Sequence, residues 1–329
     1  MKRILVLLLT LSVLILPFGG CKNNDDLETI EINEVTHSVF YAPLYVAIEM
    51  GYFEEQGLKI NLTNGGGADK SMTALLSKTA DIALMGPETV IYVQNQGKTD
   101  APIVFGQLTQ KDGSFLVSRI AEPDFNWNNL KGKEILAGRK GGVPCMTFEY
   151  ILNGLNMKNN VDFTLNFDVQ FNLMTSAFIG GTGDYCTVFE PTASEYEKEG
   201  KWHVVASVGE MGGEIPYTSF IALNSYLTEN ETTVLKFLSA MKKAFEFMAE
   251  KTEYEVAESI VKQFPSTSIS SIETSIKSYK KIDAWKTNMQ ATSESFTRLM
   301  DIMKNAGELN DYVEFNKLVN NNYAKEIFG

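Results

Sequence analysis

The chain has 329 residues, of which 44% are hydrophobic, 21% charged and 11% aromatic, with a mean hydropathy of −0.10. That length suffices for one large core or two smaller ones, and the even mix with 20 Phe and 13 Tyr excludes collagen-like, low-complexity and disordered classes. A formal charge of −12 argues against a nucleic-acid partner, and three Cys with two His make neither a zinc site of the usual spacing nor a dense disulfide scaffold.

The first segment reads as an export signal. Lys2 and Arg3 precede an apolar run, Ile4–Leu16, which is too short for comfortable spanning and ends in small residues before a cysteine. Gly19-Gly20-Cys21 resembles the lipobox of bacterial lipoproteins, which implies diacylation at Cys21; Phe18 departs from the aliphatic residue preferred there. The alternative is ordinary cleavage, with Cys21 a free thiol. Residues 1–20 are thus expected to be a signal peptide and 21–27 a polar tether holding the domain off the outer face of the cytoplasmic membrane. No later apolar run is long enough to span a bilayer.

Beyond the tether, apolar alternation predicts a strand over Glu28–Thr36, and Pro43 opens a helix through Met50. A strand at Leu58–Leu62, a turn at Gly65-Gly66-Gly67 and a helix at Ala68–Lys78 follow. Then come a strand at Ile82–Met85, a helix at Pro87–Gln96 with proline in its first turn, and a strand at Ile103–Leu108. The alternation restarts with strands at Glu134–Gly138, Thr164–Val169, Tyr185–Val188 and His203–Val208. Helices at Met146–Leu155, Asn172–Ile179 and Pro191–Glu199 separate them. Ser219–Asn224 is a last strand. Val234, Leu238, Met241, Phe245 and Met248 form one stripe over Thr232–Glu250, and further helices are expected near 253–263, 267–281, 292–305 and 312–325.

The two halves echo each other. Asp81–Thr89 aligns with Asp184–Thr192 without a gap, and Met72-Thr73 matches Met174-Thr175 once one residue is inserted. The expected fold class is therefore α/β, with two similar lobes, mainly parallel sheets flanked by helices, and a helical C-terminal segment. Residues 28–110 would begin the first lobe, 111–207 would form the second with its crossover, and 208–329 would return to the first.

In such sheets a ligand sits beyond the carboxyl ends of the strands, where loops and helix starts converge. The loops so placed are Tyr41-Ala42-Pro43, Gly65–Ala68, Gly86–Thr89, Gly141–Pro144 and Phe189–Thr192, with His37 just after the first strand. The candidate ligand-binding residues are His37, Tyr41, Pro43, Gly66, Gly67, Ala68, Gly86, Glu88, Thr89, Gly142, Val143, Phe189 and Glu190. Among the glycines, the N–H groups of Gly67, Gly86 and Gly142 are expected to meet the polar groups of the ligand. No nucleophile elbow, zinc-protease motif, Walker loop or dinucleotide fingerprint occurs, so no catalytic residue, metal or cofactor is assigned. His203 starts a strand and carries no site role; Cys145 and Cys186 read as buried free thiols, with a disulfide the alternative.

Several of these runs carry a resemblance. Ala42-Pro43-Leu44-Tyr45-Val46-Ala47, Gly51-Tyr52-Phe53, Ala80-Asp81-Ile82-Ala83, Gly141–Pro144 and Phe189-Glu190-Pro191 resemble solute-binding lipoproteins of ABC importers for sulfonates, nitrate, taurine and thiamine-precursor pyrimidines. The resemblance spans nearly the whole mature chain. It implies a type II periplasmic-binding-protein fold, a monomer whose cleft closes on a small molecule, and delivery to a membrane permease. Glu88 and Glu190 at two helix starts, with Tyr and Phe nearby, favour an amino-substituted ring over an anion, which a buried carboxylate repels. Glu190 is expected to accept from that amino group. Both glutamates alternatively cap helices, and Arg139 with Lys140 keeps an anion such as taurine in play. The resembling fold also includes pyrimidine synthases with an iron-binding Cys-rich motif; this chain lacks that motif and carries an export signal, so it is read as a binding protein and not an enzyme. An exported sensor module is the remaining reading.

Overall fold

The computed structural model describes residues 27–329. The expected signal peptide and Cys21, with all but the last residue of the tether, lie outside the described residues. Ten strands form two five-stranded sheets. They are β1 (Glu28–Glu34), β2 (Leu58–Asn64), β3 (Ile82–Met85), β4 (Pro102–Thr109), β5 (Ser114–Ser118), β6 (Glu134–Leu136), β7 (Thr164–Leu165), β8 (Tyr185–Phe189), β9 (His203–Ser207) and β10 (Thr218–Leu223). The first sheet has the order β2-β1-β3-β10-β4 and the second β7-β6-β8-β5-β9.

Each sheet contains one strand that has crossed from the other half. β10 pairs antiparallel with both β3 and β4, and β5 pairs antiparallel with both β8 and β9. The other four strands of each sheet run the same way, with β1 parallel to β2 and β3, and β6 parallel to β7 and β8. The chain therefore passes between lobes twice, at residues 110–113 and 208–217. β5 escaped the sequence reading because all five of its residues are buried, so it shows no alternation to detect.

The repeat seen in the sequence is a repeat of hydrogen bonds. Asp81, just before β3, accepts from the N–H of Glu31 through Oδ2 at 2.8 Å; Asp184, just before β8, does the same for Glu134 at 2.9 Å. Asn61 then donates to Glu31 Oε1 and Asn166 to Glu134 Oε1, both at 2.8 Å. In both lobes an aspartate at the strand entrance satisfies an otherwise unpaired donor of the neighbouring strand, which pins the register of the parallel pair.

The helical tail welds the halves together. The Glu231–Glu250 helix buries the whole expected stripe, Val234, Leu238, Met241, Phe245 and Met248, together with Phe237. Behind the crossovers, the Tyr279 ring of the Ile269–Lys281 helix lies against Phe40 of the first lobe and Phe115 of the second. Its hydroxyl accepts from the N–H of Glu190 at 2.9 Å. The helix expected over 312–325 is two short helices, Phe315–Leu318 and Asn322–Phe328. Between them Val319 bridges β4 at Val104, and Asn320 N–H donates to the Val104 carbonyl, so edge pairing wins over helix continuation. Among the described residues, Cys145 and Cys186 are free and buried, and no helix is long and apolar enough to cross a membrane.

Candidate functional site

Between the lobes lies an open cleft, whose empty space together with the solvent at its mouth is about 510 Å³. The first lobe and the returning crossover contribute Val35, Thr36, Tyr41, Gly67, Ala68, Gly86, Glu88, Tyr217 and Thr218; the second contributes Arg139, Gly142, Val143, Pro144, Phe171 and Phe189. Eight of the residues expected from sequence thus meet here: Tyr41, Gly67, Ala68, Gly86, Glu88, Gly142, Val143 and Phe189. Val35, Thr36, Phe171, Tyr217 and Thr218 were missed. Val35 and Thr36 follow β1, Phe171 opens the short 3-10 helix Phe171–Leu173, and Tyr217 and Thr218 lead into β10 just after the Gly212-Gly213-Glu-Ile-Pro216 loop.

Glu88 is the chemical centre of the cavity. The run Gly86-Pro87-Glu88 ends β3 and starts the Glu88–Asn95 helix. A Cβ on Gly86 would stand 2.1 Å from Glu88 Oε2, so glycine leaves the carboxylate room to fold back over the strand end. Glu88 is only 1% exposed, and among the described residues its Oε2 has no hydrogen-bond partner. Burial pushes its pKa up to about 7, against the opposing pull of the Arg139 charge and nearby backbone N–H groups. Arg139 reaches across from the second lobe: its Nη2 is 3.9 Å from Glu88 Oε1 and its Nε is 3.6 Å from Asp69 Oδ1. The cavity's one lining cation is thus already shared between two carboxylates.

Aromatic faces supply the rest. Tyr41 and Phe189 flank Phe40 at ring distances of 5.6 and 5.8 Å, and Phe189 also approaches Tyr217 and Phe171. The Tyr41 hydroxyl lies 3.5 Å from Thr218 Oγ1, and burial raises its pKa. The Tyr217 hydroxyl is buried and has no hydrogen-bond partner among the described residues. Across the cavity edge, Tyr92 donates to the Gly141 carbonyl at 2.9 Å, a direct bond between lobes.

Five expected residues fall elsewhere. Pro43 is packed inside the Ala42–Glu49 helix, and Thr89 donates back to the Gly86 carbonyl at 2.7 Å; both are buried and structural. Gly66 borders another opening, beside Asp69 and Arg139. His37 lines a neighbouring cavity, but its Nδ1 faces Glu34 Oε1 at 2.6 Å and its Nε2 faces the Gln263 carbonyl at 2.8 Å. Burial opposes its charge, yet these acceptors raise its pKa above 6.5. Glu190 lines the same neighbouring cavity as His37. It is 4% exposed, and its Oε2 accepts from the N–H and hydroxyl of Ser194 at 3.0 and 2.8 Å. It caps the Thr192–Lys198 helix, leaving Glu88 as the carboxylate that faces the main cavity. The Gly142 N–H is likewise spent, on the Arg139 carbonyl at 3.1 Å.

Among the described residues, no group of three or more His, Cys, Asp or Glu is placed to hold a metal ion. The arrangement offers an acceptor, aromatic faces and a hinge, which suits capture of a small molecule.

Comparisons with known proteins agree with this geometry. The chain is 43% identical over 314 residues to the putative binding protein YtlA of Bacillus subtilis strain 168, covering 95% of this chain and 94% of that one. The periplasmic nitrate-binding protein NrtA of Synechocystis PCC 6803 superposes with a TM-score of 0.74 at 14% identity, covering 92% of this chain and 88% of that one. The alkanesulfonate-binding protein SsuA of Xanthomonas axonopodis pv. citri, bound to MOPS, gives 0.70 at 16% identity over 87% and 96%. At such identities the two structures establish the shared two-lobed fold. Residues 39–254 match the NMT1/THI5-like family, and with the match to YtlA this shows that the chain belongs to that family.

Proposed function

We propose that this protein is an extracytoplasmic solute-binding component of an ABC importer, anchored through Cys21, which captures a small amino-substituted heteroaromatic and passes it to a permease. A thiamine-precursor aminopyrimidine is the favoured ligand class. The observation that carries this reading is Glu88, a buried carboxylate on the cavity wall with a free Oε2 among Tyr and Phe faces. An amino group on a flat ring supplies the missing donor, while the ring stacks on Phe189 or Tyr217. Closure of the lobes around the ligand and release at a permease is the hinge behaviour that two crossovers permit. The chain binds and releases its solute unchanged, as a binding protein and not an enzyme, and acts as a monomer.

A second reading, an anion such as taurine held by Arg139, is favoured by the placement of that guanidinium on the cavity wall. Its pairing with Asp69 and Glu88 counts against it, because an anion there meets two carboxylates as well as one cation. Calorimetric titration with 4-amino-5-hydroxymethyl-2-methylpyrimidine, taurine and nitrate separates the two. At pH 8, where Glu88 is ionised, the favoured reading expects the pyrimidine to bind and Glu88→Gln to weaken it at least tenfold, since a hydrogen bond to a charged group contributes about 1.5–3 kcal/mol. Binding of taurine alone, abolished by Arg139→Gln, overturns it.

A further inference from the structure

Between β7 and the Met174–Ile179 helix, the segment 167–172 runs along one edge of the interlobe cleft. An outer opening lies between this segment and the 66–70 turn of the first lobe, and Gly67, Arg139 and Phe171 stand in the walls of both that opening and the cleft. Phe171 also lines the neighbouring cavity beside His37, so this one ring stands where all three spaces meet. It is half-buried and packs against Phe189, with ring centres 6.4 Å apart and planes at 71°.

The segment is held at its ends and not along its length. Where β7 stops, the Asn166 N–H donates to the Ile135 carbonyl at 3.0 Å, and the Asp168 N–H turns back to Asn166 Oδ1 at 2.8 Å. At the far end, the Leu173 N–H donates to the Gln170 carbonyl at 2.9 Å and the Met174 N–H to that of Phe171, which makes the single 3-10 turn Phe171–Leu173. In between, the N–H groups of Val169, Gln170, Phe171 and Asn172 donate to no protein group among the described residues. The inward contacts are the Val169 and Phe171 side chains, while Phe167 and Leu173 are exposed. A stretch with free amides and two side chains packed inward loses little by moving.

We propose that residues 167–172 form a lid on the cleft, which swings on its two anchored ends and carries the Phe171 ring out of the wall to let a solute pass. Hinge motion of the lobes about the crossovers is a separate movement; the lid opens the outer edge without it. The inference concerns the route into the cleft and holds whichever solute sits there. Gln170 gives the means to test it. Its φ of −64° and ψ of 146° suit proline, and its N–H has no bond to lose. Gln170→Pro therefore stiffens the segment without breaking a contact.

Val143, 1% exposed, and Ala68, 8% exposed, both stand on the cleft wall and serve as reporters. Val143→Cys and Ala68→Cys proteins are each treated with a water-soluble methanethiosulfonate, and modification is followed by mass spectrometry. The wild-type protein is the blank for its own cysteines, and melting curves show that each variant folds. Adding Phe171→Ala is expected to speed modification at least fivefold, and adding Gln170→Pro to slow it at least threefold. The slowing should vanish when both changes are present, because the ring that the lid carries is gone; a general stiffening would slow both backgrounds alike. A rate that either change leaves at the parent value, or a slowing that survives in the Phe171→Ala background, overturns the lid and leaves lobe opening as the way in. No solute enters the measurement, so that result leaves the proposed function standing, just as failure of the pyrimidine to bind leaves the lid standing.

Discussion

Glu88→Gln isolates the electrostatic cost of the cavity. The wild-type carboxylate is held almost fully out of water, with Arg139 3.9 Å from Oε1 and nothing bonded to Oε2, so its pKa rises from 4.5 to about 7. At about 1.4 kcal/mol per pH unit, that interval corresponds to about 3 kcal/mol. Because folded Glu88 keeps its proton to higher pH than unfolded Glu88, its burial costs nothing below pH 4.5, and the penalty grows as pH rises through about 7. Glutamine has the same shape and no titration. The stability of Glu88→Gln relative to wild type is therefore expected to increase by about 3 kcal/mol between pH 4.5 and pH 8. Denaturant unfolding followed by tryptophan fluorescence at a series of pH values reads this difference directly. Asp112, which burial also raises to about 7, titrates in both proteins and cancels. Stability curves that stay parallel across the range would refute the claim that Glu88 is buried against the protein without adequate partners.

Other consequences are equally direct. Arg139 lowers the Glu88 pKa, so Arg139→Gln is expected to move the midpoint of that pH dependence upward in the same unfolding series. His37 gives a pH dependence of the same sign: with a folded pKa above 6.5, its pairing with Glu34 is fully present below pH 6.5 and lost as pH rises through the folded value. Unfolding of His37→Gln should therefore show less decline over that window than wild type. At the crossovers, a Cβ on Gly209 would meet the Asp112 backbone carbonyl oxygen at 2.1 Å, whereas one on helical Gly154 meets nothing within 4 Å. Thermal unfolding is expected to show Gly209→Ala less stable by about 3 kcal/mol and Gly154→Ala more stable by about 0.5–1 kcal/mol.

Much of this architecture was legible from residues. Asp81 and Asp184 stand at equivalent strand entrances because each must satisfy the N–H of a matching glutamate, and that shared task left the echo in the sequence. The helix stripe from Val234 to Met248 was legible because one face is buried and the other is not. β5 was illegible for the reverse reason, since a strand buried on both faces has no period to read. In the site, glycine and proline loops pointed to Gly67, Gly86 and Val143, which do line the cavity. Thr36 just after β1, Phe171 at the start of a 3-10 helix and Tyr217 at the end of the returning crossover are brought together only by the tertiary arrangement. Glu88 and Glu190 could not be ranked from sequence: both follow a strand by a few residues. What separates them is the Ser194 side chain one turn further on, which occupies Glu190 and has no counterpart beside Glu88.

The central claim is that a ring bearing an amino group is held between the lobes against Glu88. A crystal structure of the protein with bound 4-amino-5-hydroxymethyl-2-methylpyrimidine tests it most directly. The account predicts the exocyclic amino nitrogen at about 2.7–3.2 Å from Glu88 Oε2, with the ring face against Phe189 or Tyr217. A ligand seated outside the interlobe cavity, or one whose polar atoms turn to Arg139 and leave Glu88 Oε2 unpaired, would contradict it.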